Sequence, residues 1–291
     1  MINRILVCLD KSPYSDSSVD FACWLAKHHD ASIEGMVVID TPGIERSFGG
    51  GGIGTLKYAR TTITAKEKEC HEFMEGLLEQ FRERCDVVGV RHVEFEMQGE
   101  PAEAILDESN YFDCVVIGQR TFFSFESGAG PDGEYGTGDD DHGDALTEIM
   151  GESLAPVFAV PLGWKPAQDV IDVLIGFDGS MNALRSIRQF ARLYGGAPVK
   201  VTLFNCNEDA AASELILGKA KKFLESHGFR TVNTQTHSQT VHDVMTEEFC
   251  HPYDLVVLGA NSRSTLVEWF AGSVTTKLIE RGDKPLLIAN G

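Results

Sequence analysis

The chain is one pattern written twice, and that repetition constrains its fold more than any single residue does. ILVCLDKS (5–12) returns as VLIGFDGS (173–180), YFDCVVIG (111–118) as PYDLVVLG (252–259), and APVFAVP (155–161) as KPLLIAN (284–290), in the same order. Such a repeat predicts a tandem duplication with units at 1–163 and 170–291. The linker falls near LGWKPAQD (162–169), where Gly and Pro interrupt the pattern. A length of 291 residues agrees with two units of ordinary size.

Within each half, short continuous apolar runs alternate with longer amphipathic segments. That is the signature of a parallel sheet covered on both faces by crossover helices. In the second half the pattern predicts strands at 172–178, 199–206, 229–236, 254–259 and 285–289, and helices near 181–195, 210–227, 240–250 and 272–282. The expected fold class is α/β: two tandem open parallel five-stranded sheets flanked by helices, Rossmann-like in layout. Ligands bind such sheets beyond the carboxyl ends of the strands, where the strand order reverses. Asp178 and Gly259 both fall at strand ends of this kind.

The two copies differ in length. The offset between equivalent residues falls from 168 (Asp10 to Asp178) to 141 (Gly118 to Gly259) to 129 (Gly143 to Gly272), so the first copy carries 27 and then 12 extra residues. The first excess is assigned to a loop, TPGIERSFGGGGIGTLKYAR (41–60), and a longer helix behind it. The second is a Gly-rich acidic loop, TFFSFESGAGPDGEYGTGDDDHGDAL (121–146), whose aromatic start, Phe122, Phe123 and Phe125, is expected to be pinned on the other half or on a second subunit.

A hydrophobic fraction of 43%, a formal charge of −19 and a pI near 4.8 describe an acidic globular chain. Nucleic acid and anionic membranes are excluded as partners of the whole molecule, because both demand clustered Lys and Arg. The opening MINRILVCLDKS is not read as a signal peptide, and no apolar run has the length of a membrane span. Seven scattered cysteines without a C-x-x-C pair predict reduced thiols and a cytoplasmic location.

The motif with the most chemistry is GANSRSTLVEWFAGSV (259–274). A strand ends in Gly259, a short turn follows, and Gly272, Ser273 and Val274 open a new helical pattern. Gly259 is expected to leave the strand in a conformation closed to bulkier residues. The free N–H groups and dipole of the following helix favour an anion such as phosphate.

With these residues the sequence is similar to tandem universal stress proteins, whose ATP-binding members carry G-x-x-G, nine residues, then G-S or G-T. The second half has Gly259, Ala260, Asn261 and Ser262, nine residues from Arg263 to Ala271, then Gly272 and Ser273. Ser262 stands in place of the second glycine. If that position needs φ > 0, serine costs about 1 kcal/mol or more; if not, its hydroxyl is free to bond a phosphate oxygen. The resemblance implies an adenine nucleotide alpha hydrolase-like fold and ATP, with Mg2+ as companion ion, held by Gly259, Ser262, Arg263, Gly272, Ser273 and Val274. It places Asp178 near adenine and ribose and Phe204 and Asn205 beside the base. It implies pairing of PVFAVP with PLLIAN between the halves, a homodimer, and a stress-response regulator with an unknown protein partner. Catalysis is at most slow ATP hydrolysis or autophosphorylation at Ser273, Thr275 or Thr276, with no evident general base.

The first half departs from that pattern. Gly118 remains, but Thr121 holds the second-glycine place, 21 residues intervene before Gly143, and Asp144 replaces the serine. A carboxylate at that helix start repels triphosphate, so this half is not expected to bind ATP in the family manner. Two other readings stay open: a nucleotide-free interaction scaffold, and a metal-dependent enzyme using Asp10, Asp139, Asp140, Asp141 and His142. The order of residues in DDDHGD (139–144) does not match a calcium loop. A nucleophile elbow, a P-loop and a dinucleotide fingerprint opening a helix are all missing.

Overall fold

A computed structural model describes residues 2–48, 56–131, 133–135, 145–165, 170–195, 197–259 and 274–289, without side chains at 56–59, 242 and 274–277. The first half runs β1 (Arg4–Leu9), α1 (Tyr14–His29), β2 (Ser32–Ile39), α2 (Thr41–Phe48), α3 (Leu56–Val88), β3 (Arg91–Gln98), α4 (Pro101–Ser109), β4 (Cys114–Gly118), α5 (Ala145–Glu152) and β5 (Val157–Val160). The second runs β6 (Ile171–Gly176), α6 (Met181–Tyr194), β7 (Val199–Cys206), α7 (Ala210–Ser226), β8 (Thr231–His237), α8 (Val241–Val244), α9 (Glu247–Cys250), β9 (Leu255–Gly259), α10 (Val274–Arg281) and β10 (Leu286–Ala289).

The strands form one ten-stranded sheet in the order β3-β2-β1-β4-β5-β10-β9-β6-β7-β8. Every neighbouring pair is parallel except β5 and β10, which run antiparallel with Leu286 opposite Ala159, Leu287 opposite Phe158 and Ile288 opposite Val157. The two five-stranded sheets expected from the repeat join into one through the pair of last strands that the resemblance implied. The reason is local: VFAV and LLIA are uncharged four-residue strands, buried throughout, and left unpaired each would present open backbone groups on an apolar edge. Among the described strands, their pairing leaves only β3 (RHVEFEMQ) and β8 (TVNTQTH) at the sheet margins.

Side chains alternate across the sheet into two cores. Ile5, Val7, Leu9, Phe158, Val173, Ile175 and Leu287 face one way, under α1, α3, α6 and α7. Leu6, Cys8, Val157, Leu174, Phe204, Leu286 and Ile288 face the other. The first core is continuous across the seam: Phe158 lies with ring centroids 5.1 Å from Phe21 and 6.4 Å from Tyr194, one from each half. An ion pair between Arg192 and Asp113, at 2.8 Å, also joins the halves.

Two expectations are corrected. The stretch 41–60 is helical at both ends, with Asp40 accepting from Gly43 N at 2.8 Å to cap α2, and its Gly49–Gly54 run lies outside the described residues. The helix expected over 240–250 is two single turns, because Thr240 and Thr246 each cap a new start, accepting from Asp243 N and Phe249 N. Among the described residues no helix is long and apolar enough to cross a membrane.

Phe158→Ala leaves a cavity at the centre of the fused core. It is expected to cost about 3–5 kcal/mol, read as a fall in the urea midpoint; a loss below about 1 kcal/mol overturns the picture of a shared core.

Candidate functional site

The strand order reverses between β6 and β9 in the second half and between β1 and β4 in the first, so each half has a cleft at the carboxyl ends of those strands. β6 delivers Asp178 and β9 delivers Gly259 to the second cleft. Glycine is required there for a different reason from the one expected. Gly259 closes the strand without a positive φ, but a Cβ on it would meet Ala183 N at 2.8 Å and Asn182 C at 3.0 Å, the backbone of the first turn of α6. Gly118 repeats the device, where a Cβ would lie 2.7 Å from the Cβ of Tyr14 in α1. In both halves the strand end is pressed against a helix N-terminus.

The two first-strand aspartates have opposite surroundings. Asp178 is exposed, and its Oδ1 accepts from Ser180 N at 2.9 Å, which shapes the turn leading into α6. Ser180 in turn caps that helix by accepting from Ala183 N at 3.2 Å. Asp10 is buried, with Oδ1 accepting from Ser12 N at 3.0 Å and Ser12 Oγ at 2.6 Å and Oδ2 accepting from Phe122 N at 2.7 Å.

The donor Phe122 N belongs to the inserted segment of the first half, and that segment occupies its own cleft. Phe122 is fully buried, 6.2 Å from Tyr14 in a stacked arrangement and 4.7 Å from Tyr135 edge-on. Phe125 N donates to Asp40 Oδ2 at 2.9 Å, Lys11 Nζ donates to the carbonyls of Ser124 and Phe125 at 3.1 and 3.2 Å, and Ser47 Oγ donates to Glu126 at 2.7 Å. The aromatic residues are thus pinned within the first half, by α1 and the ends of β1 and β2, rather than on the other half. The carboxylates at the ends of β1 and β2 are both spent on this segment's backbone. Asp10, on which the metal-enzyme reading relied, has its oxygens committed to the chain's own donors, and Asp139 to Asp144 lie outside the described residues.

Complete burial pushes the Asp10 carboxyl above its ordinary value, against hydrogen bonds from Ser12, Phe122 and Ser15 that pull it down. Burial, with the Asp10 charge adding to it, also raises the Cys8 thiol beyond the titrating range.

The remaining sequence-predicted residues are placed as follows. Phe204 is 1% exposed and packs edge-on against Phe249 at 5.6 Å, in the core on the far face of β7. Asn205 lies next to the β6 end, but its amide donates to Phe177 O at 2.8 Å and its oxygen accepts from Ser213 Oγ at 2.5 Å. It braces the wall beneath Asp178. Val274 opens α10, while Ser262, Arg263, Gly272 and Ser273 lie outside the described residues. Sequence reasoning missed Asp40 and Lys11 as the anchors of the first-half segment; their position at strand ends was the available signal.

An α/β sheet with paired strand-end clefts is the class that the fold defines. The sequence profile described as the universal stress protein family matches residues 1–122. Universal stress protein Slr1230 of Synechocystis sp. is 24% identical over 299 residues, covering 98% of this chain and 99% of that relative. A universal stress protein of Archaeoglobus fulgidus DSM 4304 superposes with a TM-score of 0.69 at 15% identity, covering 99% of this chain and 96% of that one. A functionally unknown protein of Pseudomonas aeruginosa PAO1 does so at 0.52 and 13%, with 99% and 92% covered. The family match over residues 1–122 and the full-length similarity to a relative of tandem length are consistent with a tandem-type universal stress protein.

Gly259→Ala is expected to lose about 1–3 kcal/mol, because the new methyl meets backbone rather than a movable side chain. Gly76→Ala in α3, where nothing lies within 4 Å, serves as the control and is expected to gain stability. Equal effects in the two variants refute the close-approach argument. Asp10 makes a separate prediction. Its folded-state pKa lies above the unfolded value near 3.8, so the folded chain holds that proton more tightly. The resulting stability is complete below the unfolded value and is lost as pH rises through the folded one. Measured by urea titration, the unaltered protein therefore falls relative to Asp10→Asn as pH rises from 3.8; a pH-independent difference contradicts the assignment.

Proposed function

We propose that the protein is a regulatory ATP-binding protein of the stress response, with one nucleotide site, in the unit spanning 170–291. The carrying observation is the contrast between equivalent aspartates: Asp178 is exposed just past the end of its strand, whereas Asp10 is buried beneath the chain's own segment. In this reading Asp178 meets the ribose and adenine edge. The Gly259 turn, with Ser262 and Arg263, leads to Gly272, Ser273 and Val274, whose N–H groups at the start of α10 receive the phosphates and the accompanying Mg2+. Phe204 and Asn205 support this wall from behind, Phe204 as core and Asn205 through the Phe177 carbonyl.

The unit spanning 1–163 takes the scaffold role in the same reading. Its cleft is filled from within, so it contributes the seam and a surface rather than a second nucleotide site. The function is nucleotide-linked regulation rather than turnover, exercised from the cytoplasm on a protein partner.

Calorimetric titration of ATP with magnesium is expected to give one site per chain. Gly272→Asp places a carboxylate where phosphate is received and is expected to abolish binding, while Asp178→Ala weakens it about tenfold, or about 1.4 kcal/mol. No binding heat in the unaltered protein, or two equal sites, overturns the proposal.

A further inference from the structure

Seven cysteines are free thiols, and two of them are in sulfur contact: Cys23 of α1 and Cys85 of α3 lie with Sγ atoms 3.9 Å apart, 62 residues apart in sequence. We propose that this pair is an oxidation site, at which a hydroperoxide converts the two thiols to an intrachain disulfide that ties α1 to α3.

The geometry favours the bond. A disulfide needs its sulfurs at about 2.05 Å, so the atoms must close by roughly 2 Å, within reach of side-chain rotation and a small shift of one helix. The helices are already held in register beside the thiols. Arg84, next to Cys85, bonds Asp20 of α1 at 3.1 Å and Asp16 at 2.9 Å. Either thiol of this contact can be the donor, and the cations Lys27 and Arg84 favour a thiolate at Cys23 against burial and Asp20. Cys23, the less deeply buried of the two at 3% against 0% exposure, is taken as the attacking sulfur and Cys85 as the resolving one.

In the first step the Cys23 thiolate attacks the outer oxygen of the hydroperoxide. The O–O bond breaks, an alcohol (or water, from hydrogen peroxide) leaves, and Cys23 becomes a sulfenic acid. In the second step the Cys85 sulfur attacks Cys23, the S–O bond breaks, and water departs with the Cys85 proton. Two thiols lose two electrons and two protons, and the hydroperoxide takes up both.

Both thiols are buried, 3% and 0% exposed, so reaction awaits opening of the end of α3. That end is a short turn closed by Gly89, with φ 75° and its N–H bonded to Cys85 O at 2.8 Å, and Val87 beside it is 89% exposed. Slow entry followed by immediate resolution is the expected course, because the second sulfur already touches the first. The clamp acts on the closed first-half cleft: α1 supplies Tyr14 against Phe122, and α3 flanks Phe123 and Phe125 through Phe73 and Met74 around a cavity of about 240 Å3.

The test treats the full chain with hydrogen peroxide under native conditions, blocks the remaining thiols by alkylation in denaturant, and maps peptides by mass. The expected result is a Cys23–Cys85 linked peptide, two alkylation sites fewer than in the reduced chain, and a thermal midpoint several degrees higher that dithiothreitol reverses. Cys85→Ser, checked for folding by circular dichroism, is expected to leave Cys23 as a sulfenic or sulfinic acid with no linked peptide. Recovery of both residues as alkylated thiols after the half-buried Cys70 and Cys206 have oxidised, or linkage of either to a different cysteine, overturns the proposal.

Discussion

Three residue pairs across the antiparallel seam of β5 and β10 hold the two copies together, and most of the architecture follows from them. Each copy builds a parallel sheet through helical crossovers, and an open sheet of that kind ends on a strand with one side bare. Here that strand is among the shortest and most apolar of its copy, so its bare side is costly to leave in water. Antiparallel pairing of equivalent strands meets the need twice over, since each edge is the cover for the other. A duplicated gene product thereby gains one sheet and one continuous core in place of two.

Fusion also freed the copies to diverge above the sheet. With packing and backbone pairing secured at the seam, neither cleft has to stay open for the fold to stand. The first copy has used its cleft for an internal contact in which Asp10 and Asp40 receive backbone N–H groups from the inserted segment. A phosphate-binding turn and a capping carboxylate draw on the same resource, main-chain N–H groups at a strand end. The same aspartate, one repeat later, is exposed and, among the described residues, accepts from the backbone of Ser180.

The sequence displayed the repeat, the parallel sheet and the strand ends clearly, because those rest on apolar runs and on spacing. The pairing of β5 with β10 came from the family resemblance, and the residues themselves agree with it. What lay beyond reach came from the same physics. A strand covered on both faces has no polar alternation, so nothing in VTLFNC tells whether Phe204 points toward the cleft or into the core. The role of Gly259 was legible as a need for glycine but not as its cause, since a missing Cβ and an unusual φ look alike in one letter. The fate of Asp10 depended on a partner 112 residues away, Phe122 N, and backbone donors leave no trace in side-chain chemistry.

The seam has one more consequence, at the opposite ends of the sheet. Because the apolar edges face each other at the centre, the outermost strands are RHVEFEMQ and TVNTQTH, which carry charge or uncharged polar groups along most of their length. Those are poor templates for a further strand: a neighbouring chain would have to set its own backbone beside Arg91, Glu94 and Glu96, or beside a row of hydrated Thr, Asn and Gln. The duplication has therefore capped the sheet against runaway growth. Edge-to-edge pairing with another chain is thereby disfavoured, and the sticky strands stay locked at the middle of the sheet, out of reach of any partly unfolded neighbour.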